Sequence, residues 1–213
     1  AQDDNVALGY YALYAFTGSN ATAIGANAAD AATSASSLTA VGKSALGACT
    51  DSADNTAVGY QALAGVVSGS SQNTALGVNA GLSAGAAGAA TANTFIGHHA
   101  GVYADTVLHS VAIGKDALAG VASPKVTGDY NIAIGSYALD KATSAAENVA
   151  IGYGVLTNLV TENYNVAIGM QAGEDVVGES NVLLGAYAGY DAGDIDHCIA
   201  IGRAALKGDG STA

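Results

Sequence analysis

One short pattern of polar, β-branched, small and aliphatic positions recurs along the whole chain and ends each time on glycine. It reads NTAVGYQAL at Asn55–Leu63, NIAIGSYAL at Asn131–Leu139 and NVAIGMQAG at Asn165–Gly173. Aligned on aliphatic-Gly, the sequence divides into twelve units, anchored at Gly9, Gly25, Gly42, Gly59, Gly77, Gly97, Gly114, Gly135, Gly152, Gly169, Gly185 and Gly202. The spacings between successive anchors run 16, 17, 17, 18, 20, 17, 21, 17, 17, 16 and 17 along the chain. The residue before the anchor is always aliphatic: Leu8, Ile24, Val41, Val58, Leu76, Ile96, Ile113, Ile134, Ile151, Ile168, Leu184 and Ile201. Two before it stands Ala, except for Phe95 and Leu183; three before it stands Val, Ile or Thr. Four before it, eight of twelve residues are Asn: Asn5, Asn55, Asn73, Asn93, Asn131, Asn148, Asn165 and Asn181. Ala stands three after the anchor in every unit but one, where Val155 replaces it.

Each unit therefore predicts a four-residue strand, Asn-β-Ala-aliphatic, rich in β-branched types. Glycine ends it, where the chain needs a positive φ or close backbone approach. A second short strand or bend is expected at x-x-Ala-Leu, and a variable Gly/Ser/Thr/Asp segment leads to the next Asn. No 3.6-residue stripe survives the glycine spacing, so helices are not expected. The repeat period is too short for a βαβ unit or a propeller blade and fits one coil of a β-solenoid. Twelve coils at about 4.8 Å make a rod of roughly 55–60 Å, one domain over residues 1–213 with its units between about 5 and 206.

Side chains in a strand alternate faces, so the β-branched and aliphatic columns share one face and the Asn and Ala columns the other. Neither column set carries charge. Both faces therefore read as buried, one in the coil and one against a partner, with the choice between them open. A charge in the aliphatic column, as in Ile151→Asp, is then expected to abolish folding. The expectation is an obligate oligomer, most simply three parallel rods around an axis.

Composition narrows the function. Of 213 residues, 11% are charged, Trp is absent, Phe occurs twice and Gly 29 times, which suits a thin regular structure better than a thick enzyme core. Aliphatic residues are too plentiful for disorder. Six basic against 18 acidic residues give a net charge of −12, which argues against nucleic acid and against an anionic membrane surface. No stretch is apolar enough to read as a membrane span. The chain starts at Ala1, which reads as a processed form or a fragment.

These units resemble the head repeats of trimeric autotransporter adhesins, the YadA-like left-handed parallel β-roll, whose motif runs Asn-Ser-Val-Ala-Ile-Gly-x-x-Ser. NVAIGYGVL at Asn148–Leu156 and SVAIGKDAL at Ser110–Leu118 carry the likeness most closely, and it extends from Asn5 to Leu206. Related repeats occur in bacteriophage tail fibres. The resemblance implies a homotrimer, an extracellular, cell-surface or virion location, and a role in adhesion or fibre building, with a cell-surface receptor or glycan as partner. The units here are longer and less even, and Ala replaces the second Ser. No coiled-coil stalk or membrane anchor is seen, so the chain reads as an isolated head, a fibre segment or a filament subunit.

Several residues invite chemistry. The Asn column reads as a stacked amide ladder satisfying turn backbone, with a sugar-binding row as the functional alternative. Thr22, Thr39, Thr56, Thr74 and Thr94 form a row that could face ice, but the column turns to Val and Ile from Val111 onward, as an interior column would. His98 and His99, with Asp105 or His109, raise a metal site; as adjacent strand residues only one of the two could face a given side. Asp191, Asp194 and Asp196 raise a calcium loop without the repeat of calcium-binding β-rolls. Gly42-Lys43-Ser44 lacks the upstream glycine of a phosphate-binding loop. Asn20-Ala21-Thr22 is a glycosylation sequon falling in a strand column. Cys49 and Cys198 lie nine coils apart, about 40 Å, too far to bridge within one chain. The eleven tyrosines read as packing ladders.

The leading expectation is a non-catalytic trimeric fibre or adhesin head without cofactor or metal. Recognition would fall on the loops at Gly81–Ala92 and Ala119–Tyr130, where the spacing stretches. A left-handed β-helix acyltransferase is the enzyme rival, but spacings of 16, 17, 20 and 21 break its strict hexads. Too few residues flank the first and last units for a cap, so head-to-tail stacking into a polymer is also expected.

Overall fold

The structure, a computed structural model, describes residues 4–208. It is a parallel β-solenoid in which each unit supplies one three-residue strand and a long turn. The strands are β1 Val6–Leu8, β2 Thr22–Ile24, β3 Thr39–Val41, β4 Thr56–Val58, β5 Thr74–Leu76, β6 Thr94–Ile96, β7 Val111–Ile113, β8 Ile132–Ile134, β9 Val149–Ile151, β10 Val166–Ile168, β11 Val182–Leu184 and β12 Ile199–Ile201. They form one sheet in sequence order, each parallel to the next. The register never slips: Thr39 pairs with Thr56, Ala133 with Ala150 and Ile168 with Leu184. Twelve strands about 4.8 Å apart give a sheet roughly 53 Å long. No helix occurs among the described residues.

The strands are one residue shorter than the sequence pattern predicts: the asparagine carbonyl still accepts from the preceding coil, as Asn73 does from Thr56 N–H at 2.9 Å, but its N–H turns to a side chain. In the Asn73 unit the backbone N–H bonds the Asn55 side-chain oxygen at 2.9 Å instead of a neighbouring carbonyl. The segment after the anchor glycine is a turn, not a second strand. Two of its residues take positive φ, at the second and fourth positions after the anchor, as in Ser44 (58°) and Leu46 (53°). Left-handed leucine costs on the order of 1 kcal/mol. Leu46, Leu63, Leu118, Leu139 and Leu156 are fully buried, and burial of a leucine returns about 1.5–3 kcal/mol. The turn also passes its hydrogen bonds between coils, as when Leu46 N–H donates to the Ala62 carbonyl at 3.0 Å.

The core runs along the inside of the coil. From β2 to β12 the middle strand residue is buried, as are the Asn column from Asn55 onward and the alanines three after the anchors from Gly25 to Gly185. The β-branched and aliphatic columns lie on the outer face, and none of their twenty-four residues is buried. This settles the face that the sequence left open. Ile151 lies outside the coil core, so a charge there does not enter it. The row Thr22, Thr39, Thr56, Thr74 and Thr94, expected inside, faces outward. Where the turn leucine is buried, as Leu63 is, it takes the interior volume, and alanine and a hydrogen-bonded amide fill what remains on the inner sheet face.

Two exceptions to the Ala column show how tight it is. Phe95 and Leu183 point inward, and the turn positions that hold leucine elsewhere are then glycine on both sides. A Cβ on Gly101 or Gly81 would come within 2.3 or 2.7 Å of the Phe95 ring. One on Gly189 or Gly173 would come within 2.9 or 2.8 Å of Leu183. Volume is conserved between neighbouring columns.

Candidate functional site

From Asn55 to Asn181 the asparagine column, with Ser110, is a continuous hydrogen-bonded ladder inside the coil. Asn93 donates its backbone N–H and its Nδ2 to Asn73 Oδ1, at 3.1 and 3.0 Å, and Nδ2 also to the Val107 carbonyl at 2.6 Å. Asn148 stands in the same relation to Asn131, and Asn181 to Asn165, each reaching forward to a carbonyl of the following segment, Glu162 or Ile195. Ser110 takes the column between Asn93 and Asn131 and passes the chain on through its hydroxyl. The amide atoms of these residues pair with one another and with backbone groups, and a buried group of this kind costs about 1–3 kcal/mol if left unpaired. No surface remains on this column for a sugar.

The outer sheet face is a stripe of aliphatic residues and threonines without a charge, about 53 Å long. Its ends are most open, with Leu8 66% and Ile199 75% exposed; Ile24, Leu76 and Ile168 are exposed along it. Tyr10, Tyr60, Val78, Tyr153 and Met170, each directly after an anchor glycine, are also exposed. Every charged side chain of the described residues lies in the turns and loops.

A polar cluster forms where the turns stack. The second position after the anchor is Asn79, His99, Asp116 and Tyr137 in four successive coils. His98 and His99 lie in the turn beyond Gly97, not in a strand, so both rings come to one place, 3.8 Å between centroids. This corrects the expectation that only one could face a given side. His99 Nδ1 is 3.4 Å from Asp116 Oδ1, and His99 Nε2 is 3.1 Å from Asn79 Nδ2. Asn79 Oδ1 is buried and has no hydrogen-bond partner among the described residues. Lys115 reaches Asp116 Oδ2 at 3.3 Å and lies over the Tyr137 ring. The Tyr137 hydroxyl, and then Asp116, hold the Lys115 proton more firmly than in free lysine. Ligand atoms of His98, His99 and Asp116 all lie within 4.8 Å of one another, the one such group among the described residues.

The partners named from sequence are elsewhere. Asp105 accepts the Ala87 N–H at 2.8 Å and faces Lys125; His109 stacks on Tyr130 at 5.2 Å. Asp194 and Asp196 are exposed, and Asp196 Oδ1 accepts the Glu179 N–H, so the acidic loop is tied to backbone. Cys49 and Cys198 are free. Asn20 is exposed, whereas Ala21 is buried and Thr22 is in β2. Gly42-Lys43-Ser44 is the ordinary turn of its unit. Asp116 was not singled out in the sequence, although its offset from Gly114 equals that of His99 from Gly97.

Tyrosines line two shallow grooves. One of about 240 Å³ lies among Tyr137, Tyr153, Thr157, Gln171 and Glu174. The other, about 560 Å³, lies among Gln171, Tyr187, Tyr190, Arg203 and Lys207, with the Lys207 ammonium over both tyrosine rings. No helix is long and apolar enough to cross a membrane among the described residues. No protein-family model matches the chain, and no curated protein sequence matches it.

Proposed function

We propose that this chain is one protomer of an extracellular fibre or adhesin head, a left-handed β-roll in which three copies meet along the outer sheet face. One observation carries the reading: twenty-four outward strand positions are aliphatic or threonine, none is charged, and none is buried within the chain. A bare strip of roughly 53 by 7 Å, two strand residues wide, comes to about 370 Å², and the neighbouring tyrosines widen it. That area alone is what the largest apolar patch of an ordinary monomer reaches, and such patches are often functional; what marks this one is its unbroken run over twelve coils without a charge. Water does not explain the uniformity, since a solvated face tolerates charge. The likeness of the units to trimeric head repeats favours three copies over two. The loops that project from the rod, such as the exposed stretch Val121, Ala122, Ser123 and Pro124, supply variable surface for a receptor or glycan.

Ile151→Asp tests the reading. It places a carboxylate midway along the strip, where desolvation without a partner costs several kcal/mol. Native mass measurement is expected to show loss of the trimer for Ile151→Asp, and an intact trimer for Ser144→Asp in an exposed turn. An Ile151→Asp protein that assembles like the wild type overturns it.

A further inference from the structure

We propose that His98, His99 and Asp116 form a binding site for a divalent late-transition-metal ion of the zinc type, positioned by Asn79. Two imidazoles and a carboxylate are a donor set that such ions prefer over calcium or magnesium. The rings of His98 and His99 share one side of the turn, and Asp116 approaches from the next coil. The site lies within one chain and stands independently of the trimer.

The argument turns on Asn79. Its Oδ1 is buried without a hydrogen-bond partner, while its Nδ2 faces His99 Nε2 at 3.1 Å. A half-turn of the carboxamide exchanges its isosteric ends and puts the oxygen where Nε2–H can donate to it. In the metal-bound form the oxygen then accepts from His99, which carries its proton on Nε2, and Nδ2 takes the place the oxygen held. Its Nδ1 is left with a free lone pair 3.4 Å from Asp116 Oδ1, another acceptor. Two acceptors face each other at that distance only with a cation or proton between them. Two ligands bound at about 2.0–2.1 Å to one tetrahedral zinc ion are themselves roughly 3.3 Å apart. A histidine that binds metal through one nitrogen characteristically donates the other N–H to a fixed oxygen, the part Asn79 plays.

His98 completes the set. Its ligand atom lies within 4.8 Å of the others, about 1.5 Å more than the ligand separation on a tetrahedral ion. The side chain is exposed. Water takes the fourth position. Lys115, 3.3 Å from Asp116 Oδ2, is the opposing term: it neutralises part of the carboxylate charge and keeps the affinity moderate, with a Kd on the order of micromolar.

Calorimetric titration of the purified wild-type chain with zinc chloride tests this. The expected result is one ion per chain. His99→Ala and Asp116→Asn weaken binding at least tenfold, His98→Ala does so by a similar factor, and Asn79→Ala by roughly tenfold as the loss of a positioning group. His109→Ala, on the stacked pair with Tyr130, leaves it unchanged. Far-UV circular dichroism checks that each variant keeps the wild-type β signal, and the exposed His98 provides a variant outside the core. Binding weaker than millimolar in the wild type overturns the proposal, as does binding that folded His98→Ala and His99→Ala proteins retain in full.

Discussion

The anchor glycine answers two constraints at once, and the twelfth unit separates them. At Gly135, φ is +128°, a conformation that L side chains rarely adopt, and an added Cβ would lie 2.2 Å from the Gly152 carbonyl oxygen of the next coil. At Gly202, φ is +120°, but among the described residues an added Cβ meets nothing within 4 Å. Gly202→Ala should therefore cost the strain alone, about 1–3 kcal/mol. Gly135→Ala adds a clash with backbone that cannot move without breaking the register, and the difference should exceed roughly 2 kcal/mol in denaturant unfolding. Equal losses would show that the close approach contributes nothing. The two cysteines give a second contrast. Burial pushes the Cys49 thiol up to about 11, whereas Cys198 is half-exposed. At pH 8 a thiol with that pKa is about one part in a thousand thiolate. A thiol reagent should label one cysteine per folded chain at pH 8 and two after denaturation, with Cys49 labelling rising only as the pH approaches 11. Rapid labelling of both in the folded protein would contradict the buried position of Cys49.

At the scale of the element, columns decide what single positions tolerate. Phe95 stands where ten of the twelve coils have alanine, and Gly81 and Gly101 stand where most have leucine. Phe95→Ala alone should cost about 3–5 kcal/mol through the cavity it leaves. Gly101→Leu alone should be destabilising by overpacking against the ring. Together they restore the ordinary Ala–Leu pairing, with leucine at a φ its counterpart Leu118 already adopts. The double variant should be more stable than the sum of the single changes by more than about 1 kcal/mol. Additive losses would mean that the columns do not share volume. The pattern of strands, their parallel order and their register were legible because every column is anchored to glycine. Which face points inward was not legible. The usual guide, large apolar residues inside and small or polar ones outside, is reversed in so narrow a coil: Ala57 and Asn55 are buried while Val58 is not. The polar cluster was half legible. His98 and His99 stood out as neighbours, but Asp116 lies a whole repeat beyond His99, and only alignment to the anchors places the two in one column. The shorter strand and the turn geometry were hidden because nothing in the residue types marks leucine for a positive φ.

For the whole molecule, the distribution of charge separates the interior, the charged turns and one uncharged outer face. The charged side chains of the described residues lie in turns and loops, the interior is closed by alanine, leucine and the amide ladder, and one long face carries neither charge nor cover. A single rod in water would expose that face along its full length. Three rods would bury it and leave the charged turns outward, where they keep the assembly soluble. Sedimentation equilibrium of the wild-type chain at micromolar concentration measures this most directly. The account predicts a single species at three times 20.6 kDa, about 62 kDa, with no folded monomer. A stable, folded species at 20.6 kDa would contradict it.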